Sequence, residues 1–246
     1  MGGVANHSLI DALLALETPK TWSLIATVFG DLDGEQLSGK ALWALLEPLG
    51  VKKEAMRVAL HRLKKEGWLE SEKRGREGVY RLSDPARRET IAARQDVYRQ
   101  DLKYPEGWRI CIAGPDSAAP EGVNIVLDRS LFLVPATAAV APGVISLALP
   151  RMRTRDLPEW FEDCLVPGHI RAQAVPLTAL ATAFLDERPR GVEAVSARLL
   201  FVHYWRKMAL RTGVWAHSSL FPSGVMARCQ AVIGQVLASS ECTRAA

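Results

Sequence analysis

The chain has 246 residues, 48% of them hydrophobic and 24% charged, which excludes a disordered chain, a collagen-like repeat and a coiled coil. That length holds one large domain or two to three small ones. A formal net charge of +4, from 31 Lys and Arg against 27 Asp and Glu, is too mild to imply an anionic partner, so the local distribution of charge has to decide.

The run TWSLIATVFGDL puts Trp22, Ile25, Phe29 and Leu32 at helical spacing and predicts an amphipathic first helix that Asp33-Gly34 ends. Ser38 supplies an N-cap for a second helix carrying Leu42, Leu45 and Leu46, broken by Pro48, Leu49 and Gly50. A third helix, KKEAMRVALHRLKKEG, gathers Met56, Ala59, Leu60 and Leu63 on one face and stops at Gly67, a C′ glycine. Next, Trp68-Leu69 and Val79-Tyr80-Arg81-Leu82 read as strands flanking a charged, glycine-containing tip from Lys73 to Gly78. Helix, tight turn, helix and basic hairpin together predict a winged helix-turn-helix, since a helix fits the major groove of DNA while a basic hairpin follows the neighbouring phosphate backbone.

Charge agrees with that pattern. Residues 51–88 hold twelve Lys and Arg (52, 53, 57, 62, 64, 65, 73, 74, 76, 81, 87, 88) against six acids (54, 66, 70, 72, 77, 84), a net +6 that leaves the rest of the chain at −2. If the third helix buries its apolar face, the opposite face presents Glu54, Arg57, Val58, His61 and Lys65, flanked by Lys53, Arg62 and Lys64. Arg57 is then the candidate for a two-pronged contact to guanine, and Lys53, Lys64, Lys65, Lys73, Arg74 and Arg76 are candidates for phosphate neutralisation, with His61 and Arg62 beside them. A solvated basic face is the plain alternative for any such helix standing alone.

Asp84-Pro85 opens a polar helix whose apolar stripe is Ile91, Tyr98 and Leu102, ending near Pro105-Gly107, which reads equally as a connector or as part of a dimer contact. Short apolar runs at 108–113, 123–127, 131–134 and 144–149, with a helix over 156–165, predict a small α+β sheet domain. The uncharged stretch from Leu131 to Leu149 is long enough for a membrane span, but Pro135, Pro142 and Gly143 interrupt it, and two buried strands joined by a Pro-Gly turn fit it better. The last third is helical, with Leu177, Leu180, Phe184 and Leu185, then 192–210, then Met226, Cys229, Val232, Ile233, Val236 and Leu237 at three- or four-residue steps. Within it His203, Tyr204, Arg206, Lys207 and Arg211 collect aromatic and cationic groups able to stack on an adenine ring and pair with phosphates; the alternative is an aromatic core with basic groups at its surface.

Two stretches carry a family resemblance. TWSLIATVFGD, PLGVKKEAMRVALHRLKKEGWLE and GREGVYRLS resemble the winged N-terminal region of the PaaX-type transcriptional repressors of phenylacetic acid catabolism, and RLLFVHYWRKMALR (198–211) is similar to that family's C-terminal signature. After Arg211 the chain runs Thr212-Gly213-Val214-Trp215 where the family has an Asp-Pro and a Leu-Pro. The resemblance implies a dimeric repressor released from operator DNA by a coenzyme A thioester, phenylacetyl-CoA in the namesake, and a central region similar to the ferredoxin-like fold of CRISPR-associated endonucleases. The acidic residue of such nucleases falls near Asp116, but Asp116 and Glu121 are too few carboxylates to hold a divalent ion.

No glycine-rich phosphate loop, nucleophile elbow or zinc-ligand spacing occurs among His7, His61, His169, His203, His217 and the cysteines, and His217-Ser218 is adjacency rather than a triad. Neither a catalytic residue, a metal nor a cofactor is therefore expected. Widely spaced Cys111, Cys164, Cys229 and Cys242, with no basic segment and apolar core at the N-terminus, imply a reduced, cytoplasmic protein without a membrane partner.

The expected architecture is α+β multidomain: a winged helix-turn-helix domain at 1–84, a connector helix at 85–105, a small ferredoxin-like α+β domain at 106–174 and a helical C-terminal domain at 175–246. The expected function is a ligand-responsive DNA-binding repressor, a homodimer on double-stranded operator DNA of a phenylacetate or related aromatic-acid operon. An acyl-CoA-binding protein or thioester-acting enzyme that uses the hairpin for protein contacts is the alternative.

Overall fold

A computed structural model of the chain describes residues 8–32, 36–98, 107–114, 125–149 and 157–239. The described residues are mixed α+β, with ten α-helices and two small antiparallel sheets, and they fall into two compact units. The first comprises Met1–Gln100, Val175–Leu210 and Ala231–Ala246; the second comprises Asp101–Ala174 and Arg211–Gln230. This division does not follow the four consecutive segments expected from sequence, because part of the C-terminal third packs among the N-terminal helices.

In the first unit, α1 (Leu9–Leu16) is capped by Ser8, whose side chain accepts from the Asp11 amide. α2 (Thr21–Asp31) buries every residue from Ser23 to Phe29, more than the amphipathic stripe expected. A two-residue strand β1 (Leu37–Ser38) leads into α3 (Gly39–Leu46), for which Ser38 is the N-cap through a 3.1 Å bond from Ala41 N–H. A 3₁₀ turn over Glu47–Leu49 and Gly50 at φ 73° reverse the chain. α4 (Lys53–Lys65) then buries Met56, Ala59, Leu60 and Leu63, the face that its apolar spacing predicts. It ends in a Schellman motif: Gly67 N–H donates to Lys64 O at 3.0 Å, Trp68 N–H donates to Leu63 O at 2.9 Å, and Gly67 sits at φ 71°.

β2 (Leu69–Arg74) and β3 (Glu77–Leu82) pair in continuous register from Leu69↔Leu82 to Arg74↔Glu77, so the strands run longer than expected and the tip shrinks to Gly75-Arg76. β1 adds to β3, giving the order β1-β3-β2. α5 (Asp84–Val97) is capped by Ser83, with Asp84 in the first turn rather than at the cap. It packs on α2, α8 and β3 and so belongs to the unit instead of connecting two domains. Its inward residues are Ala86 and Val97, whereas Ile91 is exposed; Leu102 lies outside the described residues.

The centre of this unit is α8 (Gly191–Ala209), in which every residue from Ala197 to Trp205 is buried. A helix apolar all round has neighbours all round, and α8 contacts α1, α2, α3 and α5. Trp205 Nε1–H donates to Val97 O at 2.9 Å, and the Phe201 ring meets Phe184 edge-on at 5.5 Å.

In the second unit, β4 (Trp108–Ile112), β5 (Ile125–Asp128), β6 (Leu131–Pro135) and β7 (Ile145–Leu149) form a sheet ordered β5-β6-β4-β7 with every pair antiparallel. Of the two buried strands expected on either side of the Pro-Gly turn, β6 is buried but β7 is not, since Ile145 and Leu147 are exposed at the sheet edge, and β4 lies between the two. The segment joining them crosses one face, where Ala138, Val140 and Val144 pack on Cys111, Ala113, Phe132 and Val134. That crossover is turn-rich and holds no helix, where a ferredoxin-like fold carries one. α6 is Glu159–Leu165, shorter than expected, because Pro158 stands at its N-cap. α9 (Val214–Leu220) follows in the same unit, while α7 (Gly168–Glu187) and α10 (Val225–Ala238) run from one unit into the other.

Candidate nucleic-acid interface

The sequence of α4 sets its two faces. Four apolar residues point inward, and Lys53, Glu54, Arg57, Val58, His61, Arg62, Lys64 and Lys65 are all exposed. The pairs 54/57, 54/58, 57/61, 58/61 and 61/65 are each three or four positions apart, so these five residues share one outward face. Among the described residues, Arg57, His61, Lys53, Lys64 and Lys65 have no side-chain hydrogen bond or ion pair, and their polar groups remain available to an external partner. Lys64 and Lys65 also lie in the last turn, where cations complement the helix dipole.

Arg62 differs from this set. Its Nε donates to Glu66 Oε1 at 2.7 Å, and its guanidinium lies 5.8 Å from the Trp22 ring centre, so it braces α4 against α2. The hairpin splits in a similar way. Lys73 and Arg76 are exposed without a partner among the described residues, whereas Arg74 donates to Gln36 Oε1 at 2.7 Å and lies 2.6 Å from Glu72 Oε1. Arg74 therefore ties the hairpin to the residue preceding β1. Arg81 makes a two-pronged contact with Glu70 across the ladder, at 3.1 and 2.7 Å. Of the nine sequence candidates for DNA contact, seven are available and two are engaged within the chain.

The four effector candidates of the first unit do not form a site. His203 and Tyr204 are core residues: the Tyr204 hydroxyl is 2.8 Å from both Leu13 O and Glu17 O, and His203 Nδ1 is 3.2 Å from the buried Thr27 hydroxyl. Burial, with Arg206 and Lys207 nearby, lowers the His203 pKa to about 4; burial raises that of Tyr204. Lys207 pairs with Glu17, Arg206 points at the Ser23 carbonyl and hydroxyl, and Arg211 is exposed in the second unit. The alternative of an aromatic core is the one the structure takes, because α8 is enclosed on all sides and has no face left for an adenine ring.

A polar cluster missed in the sequence joins the same helices. Asp31 accepts from the Tyr98 hydroxyl at 2.6 Å and pairs with Arg198, and Arg94 donates to Gly30 O at 2.8 Å. Beside it lies a cleft of about 50 Å³ lined by Thr27, Gly30, Trp68, Arg94, Tyr98 and Arg206 among others. It has room for no more than a few water molecules, whereas pockets for small molecules measure roughly 300–1,000 Å³. No motif signalled this cluster, since its residues are up to 167 positions apart.

In the second unit His217 is fully buried, with Nε2 2.8 Å from Glu162 Oε1 and its ring stacked on Phe221 at 4.7 Å; burial lowers its pKa against the opposing effect of Glu162. Arg171 completes the group, 2.9 Å from Asp163 and 3.6 Å from Glu162. Among the described residues no cluster of His, Cys, Asp and Glu could hold a metal, and no helix is long and apolar enough to cross a membrane. Among the described residues Cys111, Cys164 and Cys229 form no disulfide, while Asp116, Glu121 and Cys242 lie outside them.

Comparison with known proteins bears on the same region. A family model described as PaaX-like protein matches residues 20–86, which run from the start of α2 into α5. The transcriptional repressor PaaX of Escherichia coli strain K12 is 42% identical over 174 residues, 68% of this chain and 52% of the relative, so the chain spans about half the length of the curated relative it matches. Among solved structures, an uncharacterized protein from Mycobacterium tuberculosis is 16% identical with a TM-score of 0.44, covering 80% of this chain and 85% of that one, a similarity too low to carry an argument.

Proposed function

The chain belongs to the PaaX-like family through residues 20–86, and on that premise we propose that it is a DNA-binding transcriptional repressor and not an enzyme. The observation that carries the proposal is the outward ridge of α4, where unpaired cations project from a helix anchored by four buried apolar residues. The order α2, β1, α3, α4, β2, β3 reads as a winged helix-turn-helix, with α4 in the major groove and Lys73 and Arg76 of the hairpin on the flanking phosphates. Arg57 specifies, and the lysines hold register.

We extend the proposal to a homodimer on an inverted repeat, released by phenylacetyl-CoA or a related aryl-CoA thioester in the control of aromatic-acid catabolism. That extension rests on the family resemblance alone. The test is selection of duplexes from a randomised pool by the full chain, then fluorescence anisotropy on the selected duplex with and without phenylacetyl-CoA. Enrichment of an inverted repeat with half-sites about 10 base pairs apart, and release by the thioester, are the expected results. Absence of any enriched sequence overturns the DNA reading, and enrichment without release removes only the effector.

A further inference from the structure

Val58 stands in the middle of the α4 ridge with 70% of its surface exposed. It is the one exposed large hydrophobic residue among the described residues from 8 to 90. Its helical neighbours on the exposed surface are Glu54, Ala55, Arg57, His61 and Arg62, of which only the single methyl of Ala55 is apolar, so no patch of the size a protein partner covers surrounds it. Nor does the fold itself need it. A β-branched residue is a weaker helix former than the Lys, Glu, Arg and Leu around it, and at this exposure it gains little from burial in the free protein. The core face of α4 is complete without it.

A lone branched apolar group on a ridge of hydrogen-bonding side chains matches one feature of duplex DNA. In the major groove thymine alone presents a methyl group, while the other base edges present donors and acceptors. We propose that Val58 is a specificity-determining residue that packs on the C5-methyl of a thymine. Residues 57 and 58 are consecutive on the helix, offset by about 1.5 Å along its axis and about 100° around it, so this thymine lies in the same half-site as the guanine read by Arg57. The proposal rests on the DNA-binding reading above and adds to it a base identity that hydrogen-bonding residues do not supply.

The test uses the full chain and the duplex it selects from the randomised pool. Each thymine is replaced in turn by deoxyuridine, which removes the methyl group and leaves pairing and hydrogen-bonding groups unchanged. For the wild-type chain, one position per half-site loses about fourfold in affinity, the worth of one buried methyl group. Val58→Ala, which retains the α4 fold because Ala is the better helix former, binds thymine and uracil duplexes equally at that position and selects a degenerate base there. If no sequence is enriched, the repressor reading itself fails. If a sequence is enriched but no uracil substitution weakens binding, or Val58→Ala keeps the same loss, the DNA reading stands and the role of Val58 is overturned.

Discussion

The indole N–H of Trp205 donates to the carbonyl oxygen of Val97 at 2.9 Å, joining the helix of the C-terminal signature to the one that follows the hairpin. Since α8 also packs on α1, α2 and α3, the candidate DNA reader is built around a helix that lies far along the chain from it. Trp205→Ala therefore destabilises the whole first unit, by about 3–5 kcal/mol. Trp205→Phe keeps most of the packing and loses the bond, at about 1–2 kcal/mol. Urea unfolding of both variants checks the order; equal and small effects would show that α8 does not support the reader.

The buried pair Asp31 and Arg198 makes a second case. Both side chains are nearly enclosed, and Tyr98 also donates to Asp31. Removing one partner strands the other charge, so Asp31→Ala costs about 3–5 kcal/mol, whereas removing the exposed Arg62–Glu66 pair through Glu66→Ala costs less than about 1 kcal/mol. Thermal or denaturant unfolding separates the two.

Acid sensitivity follows from His203. Its folded pKa lies at about 4, below the ordinary value near 6.5, so the unfolded chain binds more protons between those limits. Stability is full well above pH 6.5 and falls as the pH drops towards 4, by roughly 2 kcal/mol between pH 7.5 and 5. His217 acts in the same direction in the second unit. Unfolding midpoints at pH 7.5 and 5.0 measure the fall, and His203→Gln flattens it.

Specificity and affinity separate at named residues. Arg57→Ala costs about 1–3 kcal/mol and relaxes base preference at one position, while Arg76→Ala weakens all sequences alike and lowers the salt slope by about one. Arg62→Ala has the smallest effect on DNA affinity, because that side chain is already engaged by Glu66 and Trp22. Anisotropy titrations over a salt series distinguish the three.

What the sequence made legible follows from how local each signal is. α4 was readable because its apolar spacing, Gly67 and the hairpin that follows are all encoded within about thirty residues. β1 was not, since a two-residue strand has no alternation to detect. The sheet order was not legible because pairing is non-local, and nothing in 131–149 announces that β4 lies between β6 and β7. The effector candidates show the same limit more sharply. RLLFVHYWRKMALR displays aromatic and cationic residues without saying what encloses them, and the partners of Tyr204, Lys207 and Arg198 lie at Leu13, Glu17 and Asp31, more than 160 positions away.

The ratio of affinities for the selected duplex and for a shuffled duplex of the same composition, at one fixed salt concentration, tests the central claim most directly. A sequence-reading α4 predicts a ratio of about 10³ or more that collapses in Arg57→Ala. A ratio near one, with both affinities falling together as salt rises, would mean that the basic ridge attracts phosphates without reading bases, and would contradict the account.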